Sequence, residues 1–112
     1  MAGIYIPEKG DIVWLDLEPH LGHEQGGLRP MVVLSPKYYN KKTMLAIFCP
    51  ITSQRKGYPF EVNIPEGLKV KGVILSDQVK SLDWEKRKIK YICKIPKESI
   101  EDVKNMVVEL IQ

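Results

Sequence analysis

Almost every apolar residue in this chain falls in a short run cut off by glycine, proline or a polar cluster, and only the last stretch repeats at helical spacing. That contrast limits the fold more than any other feature. DIVWLDL (11–17) alternates as a strand does, with Val13, Leu15 and Leu17 on one side and Ile12 and Trp14 on the other. PMVVLS (30–35) is a β-branched strand whose Pro30, lacking an N–H, belongs at its start or on a sheet edge. MLAIFCPIT (44–52) is the most apolar run and reads as the central strand; FEVNI (60–64), GVILS (72–76) and IKYICKI (89–95) read as further strands. YYNKKT reads as a turn with a little helix, SQRKGYP as a tight basic turn, and DQVKSLDWEKRK as a polar connection. From Lys97 on, Ile100, Val103, Val107 and Leu110 recur three and four residues apart, one face of an amphipathic helix, with Pro96 and Glu98 suited to its first turn. These elements predict a mainly β chain with α: a small, strongly bent sheet or barrel carrying a C-terminal amphipathic helix, as one domain over residues 1–112. Trp14, in a strand, is assigned to the core.

With 44% hydrophobic and 28% charged residues, 112 residues can bury one modest core. A core of that size gains from oligomerisation. The net charge of +3 leans basic, so a face for nucleic acid needs its lysines and arginines clustered rather than spread. Cys49 and Cys93 are too few for a disulfide framework or a four-thiolate zinc site, and each sits in an apolar run as a reduced core cysteine would. The N-terminal MAGIYIPEKG has no long apolar region or signal-peptide pattern, and no window reaches the length of a membrane-spanning helix; a cytoplasmic protein is expected.

In GHEQGGLRPMVVLSP (22–36) a glycine-rich polar loop runs straight into Arg29 and then a strand. Loops held by a rigid sheet are where binding and catalytic groups tend to sit. Three stretches together, GDIVWLDLEPHLGHEQGGLRPMVVLSPKYYN, PITSQRKGYPFEV and GVILSDQVKSLDW, resemble in order and spacing the MazF/PemK toxins of bacterial toxin–antitoxin pairs. The likeness runs from about Tyr5 through the C-terminal helix. It implies an SH3-like small barrel of the MazF/PemK/CcdB type and a homodimer that cuts single-stranded RNA at short sequences, without a metal ion or cofactor, and so stops translation. It further implies a cognate antitoxin with an acidic, disordered C-terminal segment that blocks the RNA groove.

Metal-independent RNA cleavage uses the ribose 2′-OH against the adjacent phosphorus, leaving a 2′,3′-cyclic phosphate and a 5′-OH. It needs a proton acceptor for the 2′-OH, a donor for the leaving oxygen, and donors for the phosphoryl oxygens. Arg29 matches the family's catalytic arginine, and its planar fork suits phosphate; its high intrinsic pKa favours charge stabilisation over base catalysis. Thr52 matches the second catalytic residue of the family and can donate its hydroxyl to a phosphate oxygen. Glu24 matches a family glutamate that either orients Arg29 or accepts the proton. Arg55, Lys56 and Lys80 are candidate phosphate contacts, and Ser53, Gln54, Asp77 and Gln78 are candidate RNA contacts, the two glutamine amides being able to pair with base edges.

His20 and His23 lie in HLGHE, which does not fit a helical H-E-x-x-H zinc pattern, and read as surface histidines. The charge run EKRKIK (85–90) reads as a solvated face. Asp11, Asp16 and Asp77 have no spacing that demands a metal. The main alternative is a non-nucleolytic toxin of the same fold that binds a protein target such as DNA gyrase, as CcdB-type poisons do through a C-terminal Trp-Gly-Ile; this chain ends VVELIQ and keeps the Arg29/Thr52 pair. A catalytically dead RNA-binding module is the second.

Overall fold

The computed structural model describes residues 4–17 and 27–112. Where the sequence alternates, antiparallel strands form side by side: β1 (Asp11–Asp16), β2 (Leu28–Val33) and β3 (Leu45–Thr52). Helix α1 (Lys37–Thr43) bridges β2 to β3 and ends at Met44, whose left-handed φ of 62° turns the chain into the strand. β4 (Glu61–Asn63), β5 (Val73–Leu75), β6 (Lys80–Asp83) and β7 (Lys90–Lys94) follow, and α2 (Lys97–Ile111) closes the chain. The strand order is β4-β5-β3-β2-β1-β7, with β6 also on β3. The expected class, mainly β with a C-terminal helix, is the one observed. Among the described residues no pairing joins β4 to β7, so the sheet is bent and open.

β1 is buried on both faces, which splits the core in two. On one face Ile12, Val32, Cys49, Ile51 and Ile74 meet Ile100 and Val103 of α2. On the other Val13, Leu15, Met31, Val33, Ala46 and Phe48 surround Trp84. Each fully buried side chain of this size is worth about 1.5–3 kcal/mol. The tryptophan in the core is therefore Trp84, 1% exposed, and not Trp14, which is 40% exposed. Trp14 follows Ile12 on the same face but lies outside the cluster that α2 covers, paired with Pro30 and Lys90. Cys49 is buried as expected, whereas Cys93 is only partly so; both are free thiols.

The segment DQVKSLDWEKRK is more than a connection. It holds β6 and a 3₁₀ turn, Glu85–Arg87. β6 pairs with Leu45–Phe48 of β3, and β5 with Ile51–Thr52 of the same edge. Between the Phe48–Lys80 and Ile51–Ile74 pairs, three steps on β3 correspond to six on the other chain. The three surplus residues leave the ladder between Leu75 and Lys80, as in an enlarged bulge.

Three polar ties fasten the elements. Asn40, wholly buried in α1, accepts from the Ser35 hydroxyl (2.5 Å) and donates to the carbonyls of Pro7 (2.7 Å) and Ser35 (3.1 Å), while its own carbonyl accepts the Trp84 indole N–H at 3.1 Å. Buried Asp11 accepts from the Tyr5 hydroxyl and the Glu8 N–H, and its other oxygen pairs with Lys94 Nζ at 2.7 Å. The Arg87 guanidinium donates to the carbonyls of Asp16 and Leu17, both at 3.1 Å, and the Leu17 N–H bonds the Gly27 carbonyl at 3.0 Å.

Candidate active site

Arg29 and Thr52 are brought to one place by strand register. The β2–β3 ladder ends at the Met31–Pro50 pair. Alternation makes Arg29 the next residue on Met31's face and Thr52 the next on Pro50's, and cross-strand partners share a face. Both therefore emerge just beyond the ladder, on the side whose core holds Leu15, Met31 and Phe48 and opposite the one covered by α2. The Arg29 side chain is exposed, with one guanidinium N–H on the Leu28 carbonyl at 3.0 Å. No carboxylate among the described residues pairs with it. Thr52 Oγ1 accepts the Gln54 N–H at 3.2 Å, which leaves its own proton to donate.

Gly72 sets the height of that threonine. It has φ +126°, and a Cβ there would stand 2.1 Å from the Thr52 carbonyl oxygen. Only glycine lets the two backbones come so close.

Beside Thr52 lies a depression of about 250 Å³, lined by Gln54, Lys56, Tyr58, Phe60, Glu61, Leu75, Asp77 and Gln78. The excursion between β5 and β6 delivers Asp77 and Gln78; the turn after β3 delivers Gln54 and Lys56. That turn is held by the Glu61 carboxylate, which accepts the N–H groups of Lys56 (3.1 Å) and Gly57 (3.1 Å), with Gly57 at φ +78°. Of the residues expected from sequence, Thr52, Gln54, Lys56, Asp77 and Gln78 thus share one pocket. Lys80 is exposed and, paired with Phe48, points to the same face. Ser53 is exposed on the turn outside this pocket. Arg55 bonds Asn63 Oδ1 at 2.6 Å and lines a separate depression with Lys71. Glu24, His20 and His23 lie outside the described residues.

Sequence reasoning missed Tyr58, Phe60 and Glu61. The signal was GYPFE, in which two aromatics two residues apart flank a proline beside a positive-φ glycine. A larger cleft of about 450 Å³ lies between β4 and α2; it shares Glu61 with the pocket but adds Asp102 and Glu109 and, among the described residues, has no lysine or arginine in its lining, so it would repel a polyanion. Below the site, the Cys49 thiol is pushed up to about 12 by burial and, secondarily, by the charge of Asp77. Among the described residues no group of three His, Cys, Asp or Glu side chains converges to hold a metal.

The fold is a bent antiparallel sheet with a C-terminal helix, in which strand register sends Arg29 and Thr52 to one face beyond the β2–β3 ladder. Residues 8–111 match the family of PemK-like, MazF-like toxins of type II toxin–antitoxin systems, and the chain belongs to that family. It is 51% identical over 87 residues to the endoribonuclease toxin MazF of Escherichia coli K12, covering 78% of each chain. The Escherichia coli endoribonuclease PemK is 31% identical over 100 residues, covering 86% of this chain and 75% of that one. In structure the chain is similar to a MazE–MazF crystal structure from Deinococcus radiodurans, with a TM-score of 0.87 at 40% identity over 96% of this chain and 97% of that one. The enzyme class expected from the sequence is that of these curated relatives.

Proposed function

We propose that this protein is a sequence-specific endoribonuclease that cuts single-stranded RNA without a metal ion and acts as the toxin of a toxin–antitoxin pair. The observation that carries the reading is the emergence of Arg29 and Thr52 on one face at the end of the β2–β3 ladder, with Thr52 beside a pocket of two amides, a lysine and two carboxylates, of which Glu61 is engaged by the N–H groups of the turn. The 2′-OH loses its proton and attacks the neighbouring phosphorus, the bond to the 5′-oxygen breaks, and that oxygen takes up a proton, from Arg29 in a second role or from water, so the products are a 2′,3′-cyclic phosphate and a 5′-OH. The Arg29 fork and the Thr52 hydroxyl meet the negative charge that grows on the phosphoryl oxygens, where preorganised donors contribute most. Glu24 is assigned to the 2′-OH proton or to the orientation of Arg29. Lys56 and Lys80 hold flanking phosphates; Gln54, Asp77 and Gln78 meet base edges. Ser53 and Arg55 extend this contact surface along the turn. The working form is a homodimer in the cytoplasm, checked by a cognate antitoxin with an acidic segment; the relative from Deinococcus radiodurans was crystallised as a MazE–MazF complex.

The test is purified protein with a long unstructured RNA in excess EDTA, with product ends mapped. Cuts at one short sequence with cyclic phosphate ends are expected. Arg29→Ala abolishes them, and Thr52→Val lowers turnover by about 10²-fold or more, the usual cost of a lost transition-state donor. A folded wild type that leaves the RNA intact, or a fully active Arg29→Ala, refutes the reading.

A further inference from the structure

We infer that Tyr58, backed by Phe60, is the platform on which one unpaired nucleobase of the substrate stacks. The inference rests on the endoribonuclease reading and assigns a recognition role to residues outside the Arg29/Thr52 pair. The two rings lie nearly parallel, 21° apart, with centroids at 5.1 Å, an offset stack. Phe60 is the inner ring, and Tyr58, 50% exposed, is the outer one. An exposed aromatic held against a second ring has already given up its freedom, so a base that lands on it pays less to order the site.

The backbone around the pair is fixed as well. Glu61 grips the turn at Lys56 and Gly57, and its own N–H bonds the Tyr58 carbonyl at 3.1 Å. The Ser76 N–H bonds the Phe60 carbonyl at 3.3 Å, which ties the platform to the segment that carries Asp77 and Gln78. The same pocket thus offers an aromatic face, two amides and the Asp77 carboxylate for a base edge, and the Lys56 ammonium for a phosphate, while its second carboxylate, Glu61, is taken up by the turn. A stacked, unpaired nucleotide presents those complementary parts: a π-face, a hydrogen-bonding edge and an anionic link. Stacking is sequence-tolerant while edge contacts are not. Tyr58 therefore supplies affinity, and Gln54, Asp77 and Gln78 supply selection.

The test uses a short single-stranded RNA containing the sequence at which the wild type cuts, and versions with one abasic nucleotide at each position in turn. Tyr58→Leu keeps apolar bulk at an exposed site; a thermal melt checks that it is folded. It is expected to raise KM about 5- to 150-fold, the worth of one base–aromatic stack, with kcat within about twofold and recovery in Tyr58→Trp. One abasic substrate should lose as much with the wild type and lose nothing more with Tyr58→Leu. An unchanged KM, a loss in kcat alone, or full additivity at every abasic position overturns the inference while leaving cleavage intact. If the wild type cuts no RNA, the functional reading fails first. The platform is then decided by a 2′-deoxy strand carrying 2-aminopurine: quenching by the wild type and none by Tyr58→Leu supports it, and equal quenching or none in both overturns it.

Discussion

Gly72→Ala is the sharpest probe of how the sheet holds Thr52. The added Cβ would lie 2.1 Å from the Thr52 carbonyl oxygen, 2.9 Å from its carbonyl carbon and 3.1 Å from the Ser53 Cα. A relaxed carbon–oxygen contact is about 3.3 Å or more, so roughly an ångström of overlap has to be relieved. Gly72 cannot easily retreat, because its carbonyl accepts the Ile64 N–H at 3.0 Å and closes the connection from β4 to β5. Its φ of +126° adds a backbone penalty of about 1–3 kcal/mol, and overpacking adds about as much again. The expected destabilisation is about 2–6 kcal/mol, a large share of the stability of a small domain. Gly67→Ala serves as the control: it has φ +95° but nothing within 4 Å of the new carbon, so it suffers the backbone penalty alone. Urea unfolding of both variants separates clash from strain, and cleavage per folded molecule reports on Thr52. A displacement of about 1 Å there should lower turnover about 10²-fold in Gly72→Ala and leave Gly67→Ala near wild type. If the two variants unfold at the same midpoint, the close approach of the two backbones is refuted.

Two further outcomes test the ties that hold the fold. Asn40→Ala leaves the Pro7 and Ser35 carbonyls and the Ser35 hydroxyl short of a partner in the buried interior, so a loss of about 3–5 kcal/mol is expected by chemical denaturation; a loss below about 1 kcal/mol would contradict the hub. Above pH 9 the urea midpoint should fall. Burial, joined by the charge of Asp77, holds the Cys49 thiol protonated up to about 12, so the folded protein keeps a proton that the unfolded chain releases from about pH 9, and the stability present below that pH is lost on the way to 12. Tyr5 acts with the same sign, raised by burial and by its bond to Asp11. So does Lys94: burial works to lower it, but its bonds to Asp11 and Glu8 raise it more. Cys49→Ala should make the slope between pH 9 and 12 shallower by up to about 1.4 kcal/mol per pH unit, and an unchanged slope would count against the thiol.

Local pattern was enough for the strands rich in apolar and β-branched residues and for the helix with a regular period. β1, β3 and α2 lie within a residue or so of their expected spans, whereas β2 runs Leu28–Val33, two residues ahead of the expected 30–35, with Pro30 inside the strand where only β1 pairs with it. β6 was not legible, because Lys80-Ser81-Leu82-Asp83 has little apolar pattern of its own; it becomes a strand because β3 presents a free edge to it. The two tryptophans show the same limit. Trp14 stands between Val13 and Leu15 and Trp84 between Asp83 and Glu85, the reverse of their burial; only packing with Asn40 and the second core decides that Trp84 goes in and Trp14 stays out. At the site, Thr52, Gln54, Lys56, Asp77 and Gln78 were singled out from sequence and line one pocket, while Ser53 and Arg55 stand outside it; the convergence comes from register and from a three-residue surplus that no local rule announces. Tyr58 and Phe60 escaped because an aromatic pair in a turn reads as packing until its two rings are seen parallel and half uncovered.

The neck formed by Leu17 and Gly27, with Arg87 clamping the carbonyls of Asp16 and Leu17, has a consequence for how such a protein can diversify. Chain closure at that point is met by β1, β2 and an arginine from elsewhere in the chain. Doubling the length of the segment closed there would cost only about 0.6 kcal/mol in closure entropy. Register is therefore held at the neck itself, so a change of chain length between Leu17 and Gly27 is expected to leave the pairing of β1 with β2, and the backbone of Arg29, in place.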